Sequence, residues 1–284
     1  MRDARPSTTA QRVAMRRAAH QVLDSPRVLD DPIALPILGP QAAAQLQSER
    51  GKLDIPVARY FRAFMVVRSR YAEDELARAI GRGASQYVIL GAGLDTFAYR
   101  NPYAESALRV FEVDYPATQA WKLERLAAAG IAIPASVTFA PVDFERQSLA
   151  DGLAQANFRR NAVTLFSWLG VTPYLTREAM TATIAFVAAM PKGSGVVFDY
   201  AVPRSSLSFL GRLAFDRLAS RVSSAGEPFQ LFFEPDALAA QLTSMGFQSI
   251  EDLGADQINA RYFKNRADKL RVRGQLGRLM SASL

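Results

Sequence analysis

Three places along the middle of the chain carry residue types suited to holding a small molecule. The apolar run Tyr87-Val88-Ile89-Leu90 breaks at Gly91-Ala92-Gly93. Two glycines there let the backbone turn tightly and approach a ligand with no Cβ in the way. The next apolar run ends in Glu112 and Asp114, 19 and 21 residues past Gly93. A carboxylate at that distance is placed to accept hydrogen bonds from ribose hydroxyls, and the two acids point to the same side of a strand. The run after that ends in Asp143-Phe144. An acid at that point can accept the exocyclic amine of adenine while a backbone N–H meets a ring nitrogen. A glycine turn and two acidic strand ends therefore describe an adenosine site. Phosphate machinery is missing. A dinucleotide fingerprint would place Gly or Ala where Thr96 stands. Asp95 reads as a helix cap, and an acid in the first turn repels phosphate. Asn101-Pro102 stops that helix after little more than a turn. No Gly-Lys-Ser/Thr phosphate loop occurs. The adenosine cofactor that lacks phosphates is S-adenosylmethionine.

Strands and helices must alternate to bring these residues together. Strands are expected at 86–90, 109–113, 137–142, 162–167 and 195–200, with helices such as 117–129 and 176–190 between them. That rhythm predicts a parallel sheet with helices on both faces. Ligands bind at the carboxyl edge of such a sheet, where all three motifs fall. Before residue 82 the pattern is helical. Thr8 or Thr9 caps a helix with Ala10, Val13, Ala14 and Ala18 on one face. A proline-marked loop follows, then a helix over about 57–80. Two further strand-like pieces, 247–252 and 260–263, are joined by a short link that predicts an antiparallel hairpin at the sheet edge.

Composition removes several kinds of chemistry. The chain has 284 residues, 49% hydrophobic and 21% charged, enough for a full core. There is no cysteine and one histidine, His20. Disulfides, thiolate metal sites and histidine-rich metal sites are excluded. His20 reads as a surface or packing residue. The net charge of +7 is spread out rather than gathered into a basic, aromatic-interleaved stripe, which argues against a nucleic-acid partner. No apolar stretch approaches the length of a membrane helix, and the Arg-rich N-terminus lacks the apolar run of a signal peptide. A cytoplasmic protein with a small-molecule acceptor is expected.

The stretches "YVILGAGLDTFAYR", "VFEVDYPATQAWK", "VDF", "SWLGVTPYLT" and "NARYFKNRADKLR" resemble the bacterial branch of the leucine carboxyl methyltransferase family. The resemblance runs from about residue 8 to the C-terminus. It implies an α/β class I methyltransferase fold, Rossmann-like, with a seven-stranded sheet, a C-terminal antiparallel hairpin and an N-terminal helical cap. It divides the chain into a cap, 1–81, and an S-adenosylmethionine-binding core, 82–284. It implies that Gly91 and Gly93 bound the methionine moiety, that Asp114 binds ribose, and that Asp143 with Phe144 binds adenine. The family often carries an acid just before the Gly-Val of the fourth strand motif, and this chain has Leu169 there. That departure keeps a non-catalytic binding protein on the same fold as the alternative to an enzyme.

The carboxylate of such a cofactor needs a cation. Arg70 has Asp74 four residues on as a helical partner. Arg68 follows Phe64 by four and precedes Tyr71 by three, on the apolar side, where a guanidinium needs a buried anion. Arg68 also matches the family's arginine and is the expected ligand. No residue stands out as a general base. The expected activity is that of an O-methyltransferase on a small-molecule or peptide carboxylate, which requires no base, or on a hydroxyl, which does. Residues 203–234 carry Leu207, Leu210, Leu213, Ala214 and Leu218 on one face. They are expected either to form a lid over an apolar acceptor or simply to pack as an insertion.

Overall fold

The five central apolar runs pair as parallel strands: β1 Gln86–Leu90, β2 Arg109–Asp114, β3 Val137–Pro141, β4 Thr164–Trp168 and β5 Gly195–Ala201. The structure is a computed structural model that describes residues 8–103, 107–143, 147–223 and 228–284. The sheet has seven strands in the order β3-β2-β1-β4-β5-β7-β6. Its sequence order reverses between β1 and β4, which puts a crevice beyond the end of β1. Val88 of β1 stands opposite Phe111 of β2 on one side and Phe166 of β4 on the other. That register brings the carboxyl ends of β1 and β2 level at Leu90 and Val113. Asp114 in turn pairs with Pro141 of β3.

Alternation of side chains along the strands makes two cores. Tyr87, Ile89, Val110, Leu165 and Val197 face α4, Pro56–Gly81, through its Ala63, Val66, Val67, Tyr71 and Leu76. The last helix before the sheet therefore packs directly on it. On the other face Val88, Phe111, Phe166 and Phe198 meet α6, Leu149–Gln155, α7, Arg177–Ala188, and α9, Pro235–Ser244. A third, smaller cluster joins α1, Thr8–Leu23, to α2, Pro40–Ser48, the short α3, Arg50–Leu53, and α5, Pro116–Ala128, through Ala14, Ala18, Leu46, Leu53 and Leu126.

The antiparallel edge is built differently from the sequence expectation. β6, Ser249–Leu253, and β7, Gly277–Ser283, pair antiparallel, and β7 also pairs antiparallel with β5. Residues 260–263 are not its second strand. They close α10, Ala255–Tyr262, in which Ile258 is buried and Tyr262, four residues on, packs against the same core. That spacing is helical. The link between the two strands is thus a helix and a long return, not a tight turn. Between β5 and β6 the helix α8, Phe209–Ser223, is the main element. Among the described residues no helix is long and apolar enough to cross a membrane.

Candidate functional site

Beyond Leu90 the chain turns through Gly91 (φ 67°) and Gly93 (φ 45°), a left-handed backbone that favours glycine. Neighbours also crowd the space that side chains would take. A Cβ on Gly91 would collide with Val171 Cγ2, and one on Gly93 would lie 3.1 Å from Ala10 Cβ of α1. The turn is therefore pressed between the loop after β4 and the first helix. Asp95 acts as the expected cap: its Oδ1 accepts the Phe97 N–H at 2.8 Å, and only one 3₁₀ turn, Phe97–Tyr99, follows.

Arg68, Gly91, Gly93, Asp114 and Asp143 line one cavity of about 930 Å³. Phe144, expected beside Asp143, lies outside the described residues. Asp114 Oδ2 accepts the Gly93 N–H, and Oδ1 accepts the Tyr115 N–H at 2.7 Å. Burial pushes its pKa up, while these two N–H groups pull against it. Glu112, the other acid of that strand end, is turned away from the cavity. It is fully buried and paired with Lys122 Nζ at 2.7 Å, and Tyr99 Oη donates to it at 3.1 Å. That it shares a strand face with Asp114 was legible, but not the buried Lys122 of α5 that claims it.

The two candidate arginines of α4 face as the helical spacing predicts. Arg70 Nε donates to Asp74 Oδ1 at 2.8 Å in an exposed pair. Arg68 is buried, 6% exposed, and reaches the cavity wall. It already has one anion: its Nη1 donates to Asp199 Oδ2 of β5 at 3.0 Å. Asp199 Oδ1 accepts the Gly170 N–H, and its main-chain carbonyl accepts Thr172 Oγ1. One side chain thus ties α4 to the loop after β4. An acid inside the apolar run Val196-Val197-Phe198-Asp199-Tyr200 was the signal available for it.

A second buried network, also unread from sequence, bolts α1 to the glycine turn. Arg17 donates to Asp31 and Thr96 and stands 3.5 Å from Asp95 Oδ2. Arg100 joins from the other side, to Asp31 at 3.3 Å and to Glu73. Burial pushes the Asp31 carboxyl up, but the charges of Arg17 and Arg100 outweigh it and hold the group below its ordinary range. Arg17 follows Val13 by four on the apolar side, the same signal that singled out Arg68. His20 is a packing residue: Nδ1 donates to Asp24 Oδ2 at 2.8 Å, and Nε2 accepts the Val28 N–H at 2.9 Å. Arg62 completes that site with bonds of 2.7 and 2.8 Å to Asp24.

Walls near the turn are largely apolar. Val13, Ala14, Leu169, Val171, Tyr174 and Leu175 all line the cavity. Among the described residues of the 203–234 segment, only Pro228 and Gln230 reach it. They sit on an extended stretch whose Gln230 N–H donates to Pro173 O at 2.7 Å. The apolar face expected of α8 does not turn inward as a unit. Leu213 is 43% exposed and Ala214 is exposed, whereas Phe215 is buried against Phe229 and Phe232. Of Leu210 only the backbone is described.

The sequence pattern of leucine carboxyl methyltransferases matches residues 10–188, the span that holds α1, Arg68, the glycine turn, both acids and the β4 loop. The chain belongs to the leucine carboxyl methyltransferase family. YktD of Bacillus subtilis (strain 168), named as an S-adenosyl-L-methionine-dependent methyltransferase, is 34% identical over 291 residues, covering 95% of each chain. A Mycolicibacterium paratuberculosis (strain ATCC BAA-968 / K-10) protein named for the same activity is 31% identical over 254 residues, covering 84% of this chain and 80% of its own. Among solved structures, one from Thermobifida fusca YX named as a methyltransferase superposes with a TM-score of 0.59. It covers 99% of this chain and 96% of its own at 16% identity, a likeness of fold. This member of the family is an S-adenosylmethionine-dependent methyltransferase of the class I fold.

Proposed function

We propose that this methyltransferase esterifies the carboxylate of a small apolar acceptor, with Arg68, Gly91, Gly93, Asp114 and Asp143 holding the cofactor. The residues fit the group. The two glycines leave backbone where a Cβ would obstruct. Asp114 and Asp143 present carboxylates to an adenosine, and Arg68 presents a guanidinium to an amino-acid carboxylate. When bound, S-adenosylmethionine supplies an electrophilic methyl group, which an acceptor oxygen takes with its own electron pair while the S–C pair stays on sulfur.

The chain's work is then alignment and exclusion of water. α1 covers the turn through Ala10 and is locked there by Arg17. Val171 and Gly91 fix the β4 loop against the turn, which sets the line of approach beside Leu169 and Tyr174.

One observation carries the choice of a carboxylate: among the described residues, the cavity wall beside the turn has no uncommitted proton acceptor. Asp95 caps Phe97, Asp114 accepts two backbone N–H groups, and His20 is held by Asp24 and Val28 away from the cavity. Asp143 stands at the end of β3, with β2 and β1 between it and the β4 loop. A phenol or alcohol needs a base to become a nucleophile, whereas a carboxylate is ionised at neutral pH and releases no proton on methylation. With Leu169 on this wall, the acceptor's body is expected to be apolar. The test is transfer of labelled methyl from S-adenosylmethionine to a panel of apolar carboxylic acids and their matched alcohols and phenols. The reading expects product from acids. Product confined to phenols or alcohols sinks it.

A further inference from the structure

Asp199 sits where it can decide how well Arg68 works. It is 5% exposed in a strand buried along its whole length, and it does not line the cavity, whereas Arg68 does. Seen from the cavity, the carboxylate stands behind the guanidinium. Gly170 packs against the same guanidinium. At φ 73° it brings its backbone so near that an added Cβ would lie 2.7 Å from Arg68 Nη2 and 3.1 Å from Cζ. The N–H of that same glycine is held by Asp199 Oδ1. One carboxylate thus places both the guanidinium and the backbone against which it rests.

We propose that Asp199 is a positioning residue for the cofactor: it orients Arg68 so that the guanidinium meets the cofactor's α-carboxylate. The inference rests on the reading that Arg68 holds that carboxylate. Two effects of Asp199 oppose each other. It neutralises Arg68, which weakens the pull on a second anion. It also holds a long, rotamer-rich side chain at one place before the cofactor arrives, and keeps a buried guanidinium from standing unpaired. The second effect wins here because Asp199 fixes two parts of the subsite at once. Loss of its charge frees Arg68 from the place beside Gly170 where it is held, while the neutralised charge is recovered only in part by a side chain no longer fixed.

Asp199→Asn is the suitable variant. Its side-chain oxygen can still accept the Gly170 N–H, so the loop keeps its anchor and the fold its packing. Affinities for S-adenosylhomocysteine and for 5′-methylthioadenosine, which lacks the amino-acid tail, are measured by calorimetry on four proteins: wild type, Arg68→Ala, Asp199→Asn and the double variant. Asp199→Asn should bind S-adenosylhomocysteine roughly tenfold more weakly, the scale of a hydrogen bond to a charged group. Binding of 5′-methylthioadenosine should stay as in wild type. The double variant should be no weaker than Arg68→Ala alone, because Asp199 acts through Arg68. Unchanged or tighter binding by Asp199→Asn overturns the proposal, as do additive losses in the double variant or an equal loss for both ligands. A selective loss in Arg68→Ala with Asp199→Asn silent refutes the role of Asp199 alone. A silent Arg68→Ala refutes the reading beneath it.

Discussion

Gly91→Ala isolates the close approach on which the cavity depends. Two terms add. An alanine at φ 67° adopts a left-handed backbone, at a cost of about 1–2 kcal/mol. Its Cβ also collides with Val171 Cγ2, while Val171 Cβ and Cγ1 stand at 3.7 and 4.0 Å. One methyl group is therefore the whole obstacle, and a β-branched residue has only χ1 to turn it aside. Forcing that methyl away falls within the ~1–3 kcal/mol typical of overpacking. The expected total is about 2–5 kcal/mol of stability, read from urea unfolding at unchanged m. Val171→Ala removes the obstructing methyl. The double variant Gly91→Ala/Val171→Ala should thus be less destabilised than the two single changes summed, by about 1–3 kcal/mol, with the backbone term remaining. S-adenosylhomocysteine affinity should follow the same order. Additive stabilities would show that Val171 is not what excludes a side chain from position 91, and the packing argument for the turn would fail.

Asp114→Ala should weaken S-adenosylhomocysteine and 5′-methylthioadenosine alike, by about 1.5–3 kcal/mol, because both carry the ribose; calorimetry showing a loss for only one of them would count against the assignment. Arg70→Ala should leave binding of both ligands unchanged and cost at most about 1 kcal/mol of stability in unfolding measurements, since its pair with Asp74 is exposed. Burial would raise the Asp24 carboxyl, but hydrogen bonds from Arg62 and His20 prevail and hold it at about 2, below its ordinary 3.8. A depressed carboxylate stabilises fully above its unfolded value and loses that contribution as pH falls through its folded value, so about 2 kcal/mol should disappear between about pH 4 and pH 2. Urea unfolding across that range should show a flatter pH dependence in Asp24→Asn than in wild type, though from a lower starting stability, because Arg62 is left buried beside a neutral partner.

What the sequence made legible was whatever a local pattern encodes. Gly91, Asp114 and Asp143 each stand at the end of an apolar run, and a parallel sheet carries such ends to one edge whatever the details of packing. The facing of Arg68 and Arg70 follows from helical spacing alone. Partnerships across long separations were not legible. Asp199 meets Arg68 across 131 residues, and Arg17 meets Thr96 across 79. Only the finished sheet and the docking of α1 create those pairs. β7 escaped notice because Ser281, Ala282 and Ser283 carry no strand-like bulk, and its burial comes from lying between β5 and β6. Residues 260–263 misled because Tyr262 and Phe263 have the composition of a strand, whereas Ile258 and Tyr262 have the spacing of a helix. On α8 a regular apolar stripe suggested an inward face, yet Phe215 took the buried position and Leu213 was left outside.

Methyl-ester formation is the central chemical claim, and the stability of the transferred label to alkali tests it most directly. Protein is incubated with methyl-labelled S-adenosylmethionine and an extract of small metabolites, and the labelled product is treated with mild base. An ester hydrolyses and releases its label as volatile methanol, which is the predicted result. Label that stays with the product through the same treatment, as in an ether or an N-methyl group, would contradict a carboxylate acceptor.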